Sequence, residues 1–133
     1  MQHVCAVFFD LDGTLIDFPQ GINAVLYETY QLARRAGAPG GAFCVFQRAF
    51  WNATPGVWAA MHAGSISGDE ARLRRIKRAL AAVGVSDDEL TENMRLTWDR
   101  LNVEVPVLKE AAPGLLAALK GRVFVGLITD GFK

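Results

Sequence analysis

The chain has 133 residues, enough for one modest hydrophobic core, and its 14 basic and 14 acidic side chains leave no net charge. That balance offers nothing to a nucleic-acid backbone or an anionic membrane surface, and no stretch approaches the roughly 20 apolar residues of a membrane span. Cys5 and Cys44 show neither CxxC nor metal-ligand spacing. Cys5 therefore reads as a buried thiol in a strand. With no basic start and long apolar run at the N-terminus, the expected setting is reducing and cytoplasmic.

Residues 4–9, VCAVFF, form a continuous apolar run without polar alternation. The pattern predicts a parallel strand buried on both faces. It ends in Asp10 and Asp12, with Gly13 and Thr14 behind them. Two carboxylates so close repel one another, which costs folding energy, and a bound cation is the simplest way to offset it. Gly13 supplies a permissive backbone where the chain must turn.

Helical spacing takes over at Ile22, with Val25, Leu26, Thr29, Leu32, Ala33 and Ala36 on one stripe, until Gly37 and Pro39 stop it. Phe43, Phe46 and Phe50 predict a second, short helix ending near Asn52. Pro55 is placed as the first-turn residue of a third, carrying Val57, Trp58 and Met61. Two Ser-x-x-Glu capping boxes follow, Ser67 to Glu70 and Ser86 to Glu89. The first opens a helix burying Leu73, Ile76, Leu80 and Val83. The second opens one burying Leu90, Met94, Trp98 and Leu101. Residues 20–102 thus read as an all-helical insert of about five helices. Ala112, Pro113 and Gly114 open a short helix with Leu115, Leu116 and Leu119 inward. Residues 123–128, VFVGLI, read as a second buried strand, ending in Thr129, Asp130 and Gly131.

The expected fold class is α/β, with two parallel strands and an all-helical insert between them. Ligands of open parallel sheets bind outside the carboxyl ends of the strands. Here one end offers Asp10, Asp12 and Thr14, and the other Thr129, Asp130 and Gly131. A carboxylate nucleophile, a second carboxyl, a hydroxyl and free backbone amides suit phosphoryl transfer. Mg²⁺ suits the metal role, because it prefers oxygen ligands and keeps several waters.

FDLDGTLID resembles the first motif of the haloacid dehalogenase (HAD) superfamily, and GLITDG resembles its second. The insert between them resembles that superfamily's C1-type cap, and the resemblance implies a partial Rossmann-like core formed by residues 1–18 and 104–133 with a helical cap over 19–103. TPGVWAAMHAGSIS with the later VGLITDGF is similar to the branch holding pyrimidine 5′-nucleotidases and N-acylneuraminate-9-phosphatase. The resemblance implies that Asp10 is the nucleophile and a Mg²⁺ ligand. It implies that Asp12 is the general acid/base, its backbone carbonyl also reaching the metal, and that Thr129 binds phosphate, with Asp130 and Gly131 beside it. Asp12 favours phosphatase over dehalogenase chemistry, since an alkoxide leaving group needs a proton and a halide does not. The implied substrate is a small phosphorylated metabolite, a nucleoside monophosphate or sugar phosphate, with no nucleic-acid or membrane partner.

The family's third motif, a lysine, and its fourth, one or two acids, lie downstream of the second motif, and Lys133 is too near Thr129 to serve as the former. The chain is therefore expected to be the N-terminal half of such a phosphatase, marginally stable and catalytically weak or dead by itself. A non-catalytic fragment or partner-binding module is the alternative, and a 2-haloacid dehalogenase the third reading. An EF-hand fails on spacing, because Leu15 stands where the required glycine belongs. Asp17 reads as a helix cap, and Asp130 fits either a turn-capping or an active-site role. The aromatics Phe43, Phe46, Phe50, Trp51 and Trp58 fit cap core better than a base-stacking wall. The run Arg72, Arg74, Arg75, Lys77 and Arg78 fits a solvated basic face. His3 and His62 receive no role.

Overall fold

The computed structural model describes residues 4–38, 43–104 and 106–129. In chain order these form β1 (Ala6–Phe9), α1 (Phe18–Arg35), α2 (Phe43–His62), α3 (Gly68–Ala82), α4 (Asp88–Glu104), α5 (Ala112–Leu119) and β2 (Phe124–Leu127). β1 and β2 pair in parallel, Ala6 across from Phe124 and Phe9 across from Leu127. The fold is α/β, two parallel strands of a Rossmann-like core with a helical cap inserted between them. It divides into two compact units, Met1–Ile22 with Val105–Lys133, and Asn23–Glu104.

The helical unit owns most of the core. Leu26, Tyr30, Phe46, Phe50, Ile76, Leu80 and Met94 are sealed from solvent, each side chain contributing roughly 1.5–3 kcal/mol of apolar burial. Phe50 meets Trp98 of α4 at 5.0 Å between ring centroids, and Tyr30 of α1 meets Phe46 of α2 at 5.1 Å. Asn23 Oδ1 accepts from both Gln47 Nε2 (2.9 Å) and Trp51 Nε1 (3.2 Å), which fastens α1 to α2. Phe46 and Phe50 of α2 thus form interior, as their spacing predicts, while Phe43, Trp51 and Trp58 stay half-buried.

Two helix boundaries differ from the sequence reading. Pro55 does not start a helix. α2 runs through it as one 20-residue helix, so the described residues between 18 and 104 hold four helices where about five are expected. The buried stripe explains this: Phe46, Phe50, Ala53 and Val57 lie on one face across the proline, and their packing outweighs the hydrogen bond that Pro55 removes from Trp51 O. At α4 the cap moves by one residue. Asp87 Oδ1, not the Ser86 hydroxyl, accepts from Leu90 N at 2.8 Å, since an aspartate there caps as well as a serine. Ser67 does cap α3, accepting from Glu70 N at 3.1 Å, while the Glu70 carboxylate turns to Arg74. Several residues expected inside α1, α3 and α4 lie at the margins. Leu32, Leu73, Leu90 and Leu101 are half-buried and Ala36 is exposed, because Tyr30, Ala71, Ala79 and Thr91 take the close-packed positions.

The strands are less covered than a both-faces-buried pattern predicts. Phe8 is 54% and Phe124 64% exposed, with Val7 and Phe9 half-buried. Cys5 is exposed, just ahead of β1, and not the buried thiol expected. Each described strand pairs only with the other and keeps an open edge, and little packs over the side chains of Phe8, Phe124 and Leu127, which alternate between the two faces. Phe8 folds across the sheet towards Phe124, with ring centroids 5.9 Å apart, and fills the space over Gly126. A Cβ on Gly126 would lie 2.6 Å from the Phe8 ring. No described helix is long and apolar enough to cross a membrane.

Replacing Pro55 by alanine restores a donor for Trp51 O within an already formed helix. The variant is expected to be more stable by about 1–3 kcal/mol, read as a higher urea midpoint with unchanged slope. A lower midpoint would show that α2 needs the proline where it stands.

Candidate active site

The apolar run of β1 keeps its extended backbone only as far as Phe9, and Asp10 begins a tight turn. Leu15 N and Ile16 N both donate to Leu11 O at 3.0 Å, and Gly13 N donates to Ile16 O at 2.9 Å. Gly13 sits at φ +81°, a left-handed conformation that costs an L side chain roughly 1–2 kcal/mol. Leu15, only 5% exposed, plugs the turn into the interior. Asp10, Asp12 and Thr14 point their polar ends outward and are all exposed. Thr14 Oγ1 stands 3.5 Å from Asp10 Oδ2, the outer limit of a hydrogen bond.

A second segment braces this turn. Asp17 N donates to Val107 O at 2.7 Å, Lys109 N donates to Leu15 O at 2.9 Å, and Ile16 bridges Leu108 in antiparallel sense. Asp17 then caps α1, its Oδ1 accepting from Gln20 N at 3.1 Å, the role expected of it. Residues 107–109 carry no sequence signal for this clamp beyond the nearby Pro106, because a backbone-to-backbone tie uses no particular side chain.

The second half of the candidate site stands beside the first. Ile128 N donates to Phe9 O at 2.9 Å, so the ladder continues to the very end of β1. Thr129 follows, exposed, at the same carboxyl end of the sheet as Asp10. Asp130 and Gly131, expected beside it, lie outside the described residues, as do Lys133 and His3. His62 stacks on Trp58 with ring centroids 5.6 Å apart.

For a metal, the donors here are carboxylate oxygens. Among the described residues no three His, Cys, Asp or Glu side chains converge; Asp10 and Asp12 are two exposed carboxylates on one turn. That set fits Mg²⁺, which is commonly held by one or two carboxylates with water and phosphate oxygens completing the shell.

No family model and no curated protein matches the chain. Among solved structures it is similar to the HAD-hydrolase YfnB of Bacillus subtilis, crystallised with magnesium. The TM-score is 0.75 at 20% identity, over 98% of this chain and 54% of that one. The chain therefore spans about half the length of that protein.

Gly13→Ala is expected to lose about 1–2 kcal/mol through backbone strain alone, since a Cβ there meets nothing within 4 Å. Gly13→Asn should lose less, because asparagine tolerates the left-handed region. Urea unfolding of both variants checks the order, and equal losses would mean that crowding governs the position. With its two parallel strands, its helical insert and this likeness, the chain has the fold of the HAD hydrolases.

Proposed function

We propose that the chain carries the nucleophile half of a Mg²⁺-dependent phosphomonoester hydrolase acting on a small phosphorylated metabolite. One observation carries the reading: parallel pairing of β1 with β2 sets the Asp10–Asp12 turn and Thr129 at one end of the sheet. In this reading an Asp10 carboxylate oxygen attacks phosphorus and the ester O–P bond breaks, leaving an aspartyl-phosphate. Asp12 gives its proton to the departing alkoxide. It then takes one from the water that attacks the phosphoryl group and frees Asp10. The Thr129 hydroxyl and the backbone N–H groups after Leu11 and Thr129 hold phosphoryl oxygens, with Asp130 and Gly131 adjoining. Mg²⁺, held by Asp10 and Asp12, would offset the negative charge gathered there.

The helical unit would act as a C1-type cap selecting the substrate, a nucleoside monophosphate or sugar phosphate. Motion between the domains of YfnB, named for that protein, supports a cap that moves. Motif detail in TPGVWAAMHAGSIS supports the nucleotidase and N-acylneuraminate-9-phosphatase branch. A cytoplasmic setting goes with this reading, supported by the two cysteines' lack of CxxC or metal-ligand spacing. Exposed Phe8, Leu115, Phe124, Leu127 and Ile128 favour a second reading, in which the core unit works only when packed against further polypeptide.

Hydrolysis of an aryl phosphate with and without Mg²⁺ tests the proposal. Activity should require the metal and fall at least about a thousandfold in Asp10→Asn. Asp12→Asn should suffer most with poor leaving groups. No activity in any form supports the packed-fragment reading. Turnover of 2-chloropropionate without phosphatase activity would replace phosphoryl transfer by dehalogenation.

A further inference from the structure

The basic run on α3 does not behave as one solvated face. Arg74 pairs with Glu70 (2.6 Å) and Lys77 with Asp88 (2.7 Å), both at the surface. Arg72 is withdrawn from solvent, and it is neutralised by Asp69 and by Asp99, the latter at 2.9 Å. Arg95 on α4 is withdrawn too, and is held by Glu92 and Asp99 at 2.6 Å each. Arg75 differs. Among the described residues it is the one arginine drawn away from solvent without an acidic partner.

Its guanidinium carbon lies 4.9 Å from the centroid of the Phe50 ring, itself 1% exposed and packed on Trp98. Its Nε is sealed and makes no hydrogen bond. The aromatic face offsets part of the desolvation but accepts no hydrogen bond. Burial first, and the neighbouring Arg72 charge second, push the Arg75 pKa down to about 10, so the group stays cationic at neutral pH. A partly desolvated cation with no acidic partner of its own and with donors left over leaves hydrogen-bonding capacity for an external acceptor.

We propose that the Arg75 guanidinium, stacked on Phe50 beside Arg72, anchors a small-oxyanion site in the helical unit. The ligand group is a phosphate or carboxylate, taken through the Nη end of the fork, since Nε is enclosed. The planar, always-charged fork suits such oxygens as an ammonium would not. This site lies wholly in residues 23–104 and does not depend on the catalytic reading.

The test uses the full chain in chloride buffer, titrated with inorganic phosphate and, separately, acetate. Phosphate should raise the melting temperature saturably in wild type and equally in Asp10→Asn, which lacks the proposed nucleophile. Arg75→Met keeps the stem over Phe50. It should melt at or above the wild-type temperature without phosphate and lose at least fivefold in phosphate affinity. Arg75→Lys, keeping charge but not the fork, should fall between. Acetate acting in place of phosphate identifies a carboxylate site; both acting identifies a general oxyanion site. Guanidinium ¹H–¹⁵N spectra of the wild type give a readout independent of any variant. An Arg75 signal that neither anion moves overturns the proposal, as does an unchanged anion response in Arg75→Met.

Discussion

Pairing β1 with β2 in parallel forces both strands to finish at the same end of the sheet, because Ala6 faces Phe124 and Phe9 faces Leu127. Everything chemical in the core unit depends on that geometry. An antiparallel partner would set Thr129 at the opposite end from Asp10. A parallel partner also demands a long crossover, and the helical unit occupies it. Closing so long a loop costs only slightly more entropy than closing a short one, so the insertion weighs little on the two-strand ladder itself.

The crossover leaves and returns through one clamp. Outbound residues 15–17 and inbound residues 107–109 exchange backbone hydrogen bonds across the Ile16–Leu108 bridge. Leu15 seals this junction while Asp10 and Asp12 remain outside. The acids are thus presented by a turn tied by three internal backbone hydrogen bonds, two accepted by Leu11 O and one donated by Gly13 N. A carboxylate on such a turn is held in place without being neutralised, which is what a nucleophile or a metal ligand requires.

The strand that stops at two acids was legible, because no alternation and no helical spacing competes with it. So were the caps at Asp17 and Ser67 and the aromatic interior of α2. What the chain hides is decided by tertiary packing. Pro55 carries a strong local stop signal, yet Phe46, Phe50, Ala53 and Val57 share a stripe across it, and burial prevails over propensity. Cys5 and Phe8 read as interior because apolar runs usually are. Their exposure depends on what packs over the faces of the strand, which no local pattern records. The 107–109 clamp is invisible for a related reason, since it is made of main chain.

The basic helix shows the same division in electrostatics. Spacing along α3 says which arginines share a face, but not which acids another helix will bring to them. Asp99 comes from α4 and takes Arg72, while Arg95 on α4 is held by Glu92 and Asp99 of its own helix. Arg75, three residues after Arg72, meets Phe50 of α2 instead. Three arginines equally polar in sequence thus end as two compensated charges and one uncompensated. An unpaired charge withdrawn from water lowers stability, whereas an apolar side chain of similar length over Phe50 would not. A fold that keeps the arginine there retains a cost that packing alone does not explain, and binding an anion is a function that would offset it.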